Sequence, residues 1–415
     1  MVSLSRIRIE LEASIGILSR QLEARLKAAD DQFRLILSSA QLCAACMDFA
    51  GARTHLECLQ LNHSHRTEEC FVEFVSTAVY CLQFDIAVVT LARRFPILQD
   101  IKLALYDDDG TVYSTRPGVV RWERLNSGQV TFYFASTFWN IERMLGLQRW
   151  VVLLPILSKY LSETVRAAWS LHINLGDRGW APGLAFSEKS SDFYLLPDTE
   201  FLESHAYAAT ATVFSNYDVP WKDRTPVAFW RGGTQGSAVG GWRNLPRLQL
   251  CDIVRQSKYS DKFDVGITRI VTSHVVKMTD VDEIAQSGFM RPFVPISSFV
   301  RYKYHIDIDG HTNAWSALFQ KLLTGSPVLK VASAEGYRQW YYDKLLPWLN
   351  YVPVESDMSD LVEKTLWLIN NDEKAREIGL RGRELAESLD YESQIAAAFN
   401  TIDMAIHRAS ALVHE

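Results

Sequence analysis

Three short stretches bring together residue types that can take a proton and steady a negatively charged leaving group. The first is Asn174-Leu-Gly-Asp177, followed by Arg178 and Gly179. Leu171 to Leu175 has the alternation of a strand, so Gly176 to Gly179 reads as the loop at its carboxyl end. An aspartate on such a loop, bracketed by glycines and beside an arginine, is a candidate general base, although loop aspartates also serve simply as turn formers. In the second stretch, Phe229-Trp-Arg-Gly-Gly-Thr234, a strand runs into a glycine-rich loop, with Arg243 and Arg247 shortly after it. Glycines let the backbone approach a phosphate, and Arg231, Arg243 and Arg247 can pair with one. The spacing is neither GxxxxGK[ST] nor GxGxxG, which removes the main support for an ATPase or a dinucleotide-binding enzyme. A solvated basic loop is the competing reading.

The third stretch is the turn Asp309-Gly310-His311-Thr312-Asn313. The alternation in Tyr304-His-Ile-Asp-Ile-Asp309 predicts a strand with Tyr304, Ile306 and Ile308 on one side, ended by Gly310. Thr312 or Asn313 can cap the next helix, whose apolar positions are Trp315, Leu318, Phe319, Leu322 and Leu323. Thr324-Gly325-Ser326-Pro327 stops it, and Val328-Leu-Lys-Val331 then reads as a strand buried on both faces. This is one βαβ unit, and a glycine turn opening a helix presents free N–H groups to an anion. A tight turn with no ligand explains the same residues.

The surrounding elements follow from composition and periodicity. At 415 residues the chain suggests two domains, and 48% hydrophobic with 22% charged residues is ordinary for a globular protein. A net charge of −6 leaves no basic footprint for nucleic acid. The N-terminal residues are periodic and charged without the apolar core of a signal peptide, and no run of about 18 apolar residues occurs. The expectation is a cytoplasmic protein, compatible with work at the inner face of a membrane. Residues 1 to about 92 read as helical, and residues 101 to 134 as strands linked by turns, with Asp107-Asp108-Asp109-Gly110 as a hairpin turn rather than a metal motif. Leu157 to Leu171 reads as an amphipathic helix, as do Ser356 to Asn370, Asp372 to Ser388 and Glu392 to His407. Polar and proline residues from Tyr217 to Thr225 mark the expected boundary, giving a domain at 1–217, a second at 218–390 and a C-terminal helix at 391–415 packing back on the first.

Five of the six cysteines lie in the first hundred residues, Cys43 and Cys46 forming a CxxC pair near His55, His63 and His65. Structural zinc sites pair CxxC with a second closely spaced pair, and His63 and His65 are too close for the usual half, so buried reduced thiols are expected and no metal.

Taken together, these stretches resemble glycosyltransferase family 90, which includes protein O-glucosyltransferases, fungal capsule-associated proteins and bacterial members linked to lipopolysaccharide modification. The resemblance covers roughly residues 170 to 390, and RYKYHIDIDG, LLTGSPVLK and YYDKLLPWLNYVPVESDMSDLVEK follow the family's order. It implies an α/β, GT-B-like fold of two Rossmann-like domains with a cleft between them, here with an extra N-terminal helical region. It also implies an inverting, metal-independent reaction that uses a nucleotide sugar, often UDP-linked, with no other cofactor. Asn174-Leu-Gly-Asp177 falls where the family carries its N-x-R-D segment, which implies Asp177 as catalytic base, with Gly176 in place of the eukaryotic arginine. Phe229 to Thr234 matches the family's FxRGSxT loop, which implies that Arg231, Gly232, Gly233 and Thr234 contact the diphosphate. Arg243 or Arg247 then takes the place of a second arginine. Asp309 to Asn313, Gly325, Ser326 and Lys330 complete the implied donor-binding set. The helix arginine of eukaryotic members is replaced by Trp315-Ser316-Ala317. The expected partners are a nucleotide-sugar donor and a glycan or glycolipid acceptor such as lipopolysaccharide. The alternative is a carbohydrate- or nucleotide-binding protein that keeps the fold without turnover.

Overall fold

The structure is a computed structural model that describes residues 32–106, 118–135, 141–164 and 168–412. The expected helix at the extreme N-terminus and the Asp107 to Gly110 turn lie outside the described residues. Two compact units result: described residues up to Ala185 with Asp192–Tyr194 and the chain from Ala398 onward, and Phe186–Ser191 with Leu195–Ala397.

The first unit opens with α1 (Gln32–Ala45), α2 (Phe49–Asn62), α3 (Ser64–Glu69), α4 (Phe71–Tyr80) and α5 (Phe84–Arg94). In α4, eight residues are buried: Phe71 and every residue from Phe74 to Tyr80. It is a central helix of a small bundle rather than an amphipathic surface one. Burial also pushes the Cys81 thiol far up, so it stays protonated. The strands β1 (Lys102–Leu105), β2 (Val119–Arg124), β3 (Val130–Phe134), β4 (Trp169–Asn174), β5 (Gly183–Ala185) and β6 (Phe193–Leu195) form one sheet in the order β1-β3-β2-β4-β5-β6.

That sheet is mixed. β1 and β3, and β4 and β5, pair in parallel, whereas β2 runs antiparallel to both β3 and β4. The local cause is the tight turn from Leu125 to Gln129, where Leu125 N–H donates to Gln129 O at 2.9 Å. The Rossmann-like expectation for this region is corrected accordingly: an antiparallel strand sits inside the sheet. Helix α6 (Ile141–Glu163) seats Trp150 against Phe132 and Phe134, with ring centroids 5.3 and 5.0 Å apart. The helix expected at Leu157 to Leu171 thus begins earlier and ends earlier, running through Pro155, which lies on the exposed side. Its far end is tied to the last helix by Tyr160 Oη, which donates to Asp403 Oδ1 at 2.5 Å.

The second unit begins with α7 (Thr199–Glu203) and α8 (Ala208–Asn216). The boundary expected near Tyr217 falls inside this unit, because Asp198 is fully buried in it. Asp198 accepts from Phe201 N at 2.9 Å, from Tyr207 Oη at 3.2 Å and from Gln339 Nε2 at 3.2 Å. A buried carboxylate needs such partners, and they tie residues 198–207 to a loop more than a hundred residues later. The strands β7 (Thr225–Gly233), β8 (Phe263–Arg269), β9 (Tyr302–Asp307), β10 (Val328–Val331) and β11 (Val352–Val354) pair in parallel in the order β8-β7-β9-β10-β11.

In sequence order this is 2-1-3-4-5, a doubly wound sheet whose direction of winding reverses between β7 and β9. The connecting helices are α9 (Pro246–Gln256), α10 (Val281–Gln286) and α11 (Ser316–Leu323), followed by α12 (Leu361–Asn370), α13 (Asp372–Ser388) and α14 (Tyr391–Leu412). One face of the sheet packs Trp230, Val265, Ile306 and Leu329 into an apolar core with α9 and α12. The described chain is a mixed α/β protein.

Two glycines set how closely α13 can approach that sheet. A Cβ at Gly379 would lie 2.4 Å from Gly325 O and 2.8 Å from Pro327 N, and one at Gly382 would lie 2.8 Å from Asn350 O. These are backbone atoms and cannot swing aside. Gly379→Ala gains about 1 kcal/mol of helix propensity but forces the turn before β10 to shift, at a cost of about 1–3 kcal/mol. The expected net result is a lower urea-denaturation midpoint, and an unchanged or higher midpoint would show that the turn yields freely.

Candidate active site

In the first unit, the Asp177 loop is shaped by one side chain. Asn174 ends β4 with its amide buried, and it spends every hydrogen-bonding position it has. Its Nδ2 donates to Ala181 O at 2.8 Å and Leu184 O at 2.9 Å, while Oδ1 accepts from Trp180 N at 2.8 Å and Ala181 N at 3.1 Å. The loop is therefore a fixed shape. At its tip the Asp177 side chain is 37% exposed, and its Oδ1 accepts from Arg149 Nη2 at 3.2 Å and Nη1 at 3.3 Å. No local pattern pointed to Arg149, which is 28 residues away on α6.

In the second unit, the carboxyl ends of β7 and β9 flank the reversal point, where ligands bind in open α/β sheets. Arg247 lies across it. Its Nε donates to Asp309 O at 2.9 Å, Nη1 to Gly233 O at 3.3 Å and Nη2 to Ile308 O at 3.4 Å. The guanidinium thus joins the glycine loop after β7 to the turn after β9. Arg243 points elsewhere: it stacks over Trp242 at 4.4 Å, ion-pairs with Glu283 and is exposed. Of the two arginines that the sequence left open, Arg247 occupies the reversal point.

Arg231 is largely committed within the sheet. Nη2 donates to Asp264 Oδ1 at 2.6 Å, Nη1 to Asp264 O at 2.8 Å and to Trp230 O at 3.0 Å, and Nε to Pro292 O at 3.3 Å. These bonds fasten β7 to β8 and leave little of the guanidinium for a phosphate. Gly232 and Gly233 close β7, and Thr234 is buried, accepting from Val271 N at 2.8 Å and donating to Val271 O at 3.1 Å.

The turn after β9 differs from its expected form. The helix starts at Ser316, and neither Thr312 nor Asn313 caps it. Instead Asn313 Oδ1 accepts from Trp315 N at 3.1 Å, and its Nδ2 donates to Ser187 Oγ at 2.7 Å. Trp315, expected on the buried stripe of the helix, sits just before it with φ 49°. A bulky residue in that region is strained, and such strain recurs at ligand-binding turns. Thr312 is 2% exposed and, among the described residues, its Oγ1 has no hydrogen-bond partner. His311 lies in the same turn.

Beneath the turn, the polar side of β9 is buried rather than solvated. Asp307 Oδ1 accepts from Lys321 Nζ at 2.8 Å, and Lys330 Nζ lies 3.6 Å from Oδ2. Burial drives the Asp307 carboxyl up, but the two ammonium groups outweigh it and hold it below the usual carboxylate range. Lys330 is therefore held by Asp307 and lies 4.7 Å over the Tyr342 ring, and Lys321 is a partner that the apolar periodicity of α11 concealed. Gly325 and Ser326 do not join this group. They precede β10, at the amino end of the parallel sheet, where Ser326 Oγ accepts from Arg224 Nη1 at 2.7 Å. The family resemblance implied them in the donor-binding set, but the direction of the strand puts them at the opposite edge. Among the described residues, no group of three His, Cys, Asp or Glu side chains could hold a metal ion.

With this geometry in place, residues 202–395 match the model described as Glycosyl transferase family 90. The chain is 40% identical over 169 residues to Protein O-glucosyltransferase 2 of Danio rerio, covering 40% of this chain and 30% of that protein. It is 30% identical over 178 residues to Protein O-glucosyltransferase 3 of Homo sapiens, covering 43% and 31%. A 35% match over 184 residues to Uncharacterized protein 179R of Invertebrate iridescent virus 6 covers 39% of this chain and 15% of the viral protein. The chain thus spans less than a third of the length of these relatives. Among solved structures, that of TarM overlaps with a TM-score of 0.30 at 17% identity, over 45% of this chain and 38% of that one. The matched model and two of the named relatives describe glycosyltransferases.

The Asp309 carboxyl offers a test of how buried the turn after β9 is. Burial pushes it up to about 6, against the lowering charge of Lys330. An unfolded aspartate titrates near pH 3.9, so between about pH 4 and 6 the folded state binds more protons and stability falls as pH rises. Asp309→Asn removes this term. The variant is expected to gain on wild type by up to about 1.4 kcal/mol per pH unit across that window, and to hold the gain above it. Urea denaturation of both proteins at pH 4, 5, 6 and 7 checks this; parallel stability curves would contradict it.

Proposed function

We propose that this chain is an inverting, metal-independent glycosyltransferase. On this reading it moves a sugar from a nucleotide-sugar donor, UDP-linked, to a hydroxyl of a glycan acceptor such as lipopolysaccharide. The observation that carries the reading is the match of residues 202–395 to glycosyl transferase family 90. The reading is supported by a doubly wound sheet whose reversal point is crossed by the Arg247 guanidinium. In the proposed GT-B-like division of labour, the first unit carries the base and the second holds the donor. Asp177 takes the proton of the acceptor hydroxyl, whose oxygen forms a bond to the anomeric carbon as the bond to the diphosphate oxygen breaks. Arg247 and the N–H groups around Gly233 and Gly310 supply the positive potential that the leaving diphosphate needs. We place the enzyme in the cytoplasm, at the inner face of a membrane. A nucleotide-binding protein without turnover is the second reading, favoured by the commitment of Arg231 to Asp264.

A thermal-shift screen against UDP, GDP, CMP and their sugars identifies the donor, with UDP and a UDP-sugar expected to raise the melting temperature. Asp177→Asn is expected to lower turnover of that donor by about 10²–10⁴-fold, with nucleotide affinity unchanged. Wild-type turnover by the variant would remove Asp177 from the role. Loss of activity on adding EDTA would contradict metal independence. Nucleotide binding with no turnover of any donor would favour the second reading.

A further inference from the structure

We propose that Arg149, on α6, is the positioning residue for Asp177, fixing which carboxylate oxygen is left to accept the acceptor's proton. The inference rests on the transferase reading above. Both terminal nitrogens of Arg149 converge on one oxygen: Nη2 and Nη1 lie 3.2 and 3.3 Å from Asp177 Oδ1. Nη1 also donates to Leu175 O at 2.7 Å, so the same guanidinium grips the loop's backbone and its carboxylate. Oδ1 is held, Oδ2 is the oxygen left to take a proton, and the rotation that would exchange them breaks two charge-assisted hydrogen bonds.

The scaffold behind Arg149 is built for that approach. Gly146, one turn earlier on the same face of α6, packs against Gly118, where a Cβ at position 146 would lie 3.4 Å from Gly118 Cα. Gly118 has φ 86°, its carbonyl accepts from Leu175 N at 2.7 Å, and a Cβ there would lie 3.5 Å from Gly176 N. The helix is therefore seated directly on the residues that open the Asp177 loop. Trp150, buried between Phe132 and Phe134, stops α6 from turning about its axis. The Arg149 side chain is 14% exposed against 37% for Asp177, so the cation is withdrawn from solvent and the base is reachable. A surface ion pair would leave both groups wet and contribute little.

The experiment compares wild type, Arg149→Met, Arg149→Lys and Asp177→Asn, with UDP-glucose as the first probe and then whichever sugar nucleotide the wild type turns over. It reads kcat and KM from nucleotide release, and UDP affinity by calorimetry. Arg149→Met is expected to lower kcat about 10–100-fold, with donor KM and UDP affinity within about twofold, the pattern of a misoriented base. Arg149→Lys is expected to recover part of that loss, since an ammonium can reach Oδ1 or Leu175 O but not both. Equal kcat for Arg149→Met and wild type, a loss confined to donor KM, or a folded Arg149→Lys no better than Arg149→Met would each overturn the inference. If Arg149→Met does not fold, Arg149→Lys decides: a reduced kcat at unchanged KM supports the role, and wild-type kcat overturns it. Inactivity of the wild type toward every donor would overturn the transferase reading and this inference together. An inactive Asp177→Asn beside a fully active Arg149→Met would overturn this inference alone.

Discussion

A carboxylate with no exposed surface, Asp307, sits in the second unit within reach of two ammonium groups, and the architecture around the sheet's reversal point hangs on that arrangement. Taking these charges out of water costs several kcal/mol for each ion, and only close, well-directed contacts return it. Lys321 comes from α11 and Lys330 from β10, so the helix, the adjacent strand and β9 must assume one relative register for the charges to meet. Losing either lysine strands the other charges in the interior. This pins the end of β9, and with it the turn that Arg247 crosses. His305, one pleat earlier on the same side, is fully buried between Phe229 and Phe299. Burial and the nearby Lys321 and Arg224 charges depress it to about 3, so it stays neutral and adds no further cation.

The first unit solves a different problem, holding a loop rigid without regular structure. Asn174 does so by using its full set of donors and acceptors on four backbone groups, which leaves the loop few alternative shapes. Close approach at Gly118 and Gly146 then lets α6 deliver Arg149 to Asp177. A polar network of this kind specifies one geometry because any other leaves buried groups unpaired.

Much of the second unit was legible in the chain. The alternation from Tyr304 to Ile308, the stop at Thr324 to Pro327 and the apolar run from Val328 gave β9, α11 and β10 to within a few residues. Periodicity reports which positions face an apolar core, and here those positions do. It is silent where a polar residue is buried: His305, Asp307 and Lys321 lie inside, and paired or desolvated polar groups leave no trace in an apolar pattern. It failed at Trp315, whose spacing fits the helix stripe while its backbone does not.

By itself, then, the sequence determined the local elements, the loop that carries Asp177, the glycine loop after β7, and the membership of the two arginines in one candidate set. Each of these depends on neighbours within a turn or a strand, which spacing records. Only the tertiary structure decided that β2 runs antiparallel inside the first sheet and that Gly325 and Ser326 lie at the amino edge. It likewise decided that Arg247 rather than Arg243 spans the reversal point, and that Arg149 meets Asp177. Those facts depend on strand direction and on pairings between residues far apart in the chain. No local propensity encodes them, because they arise only when the whole chain must bury its apolar faces and pair its buried polar groups at once.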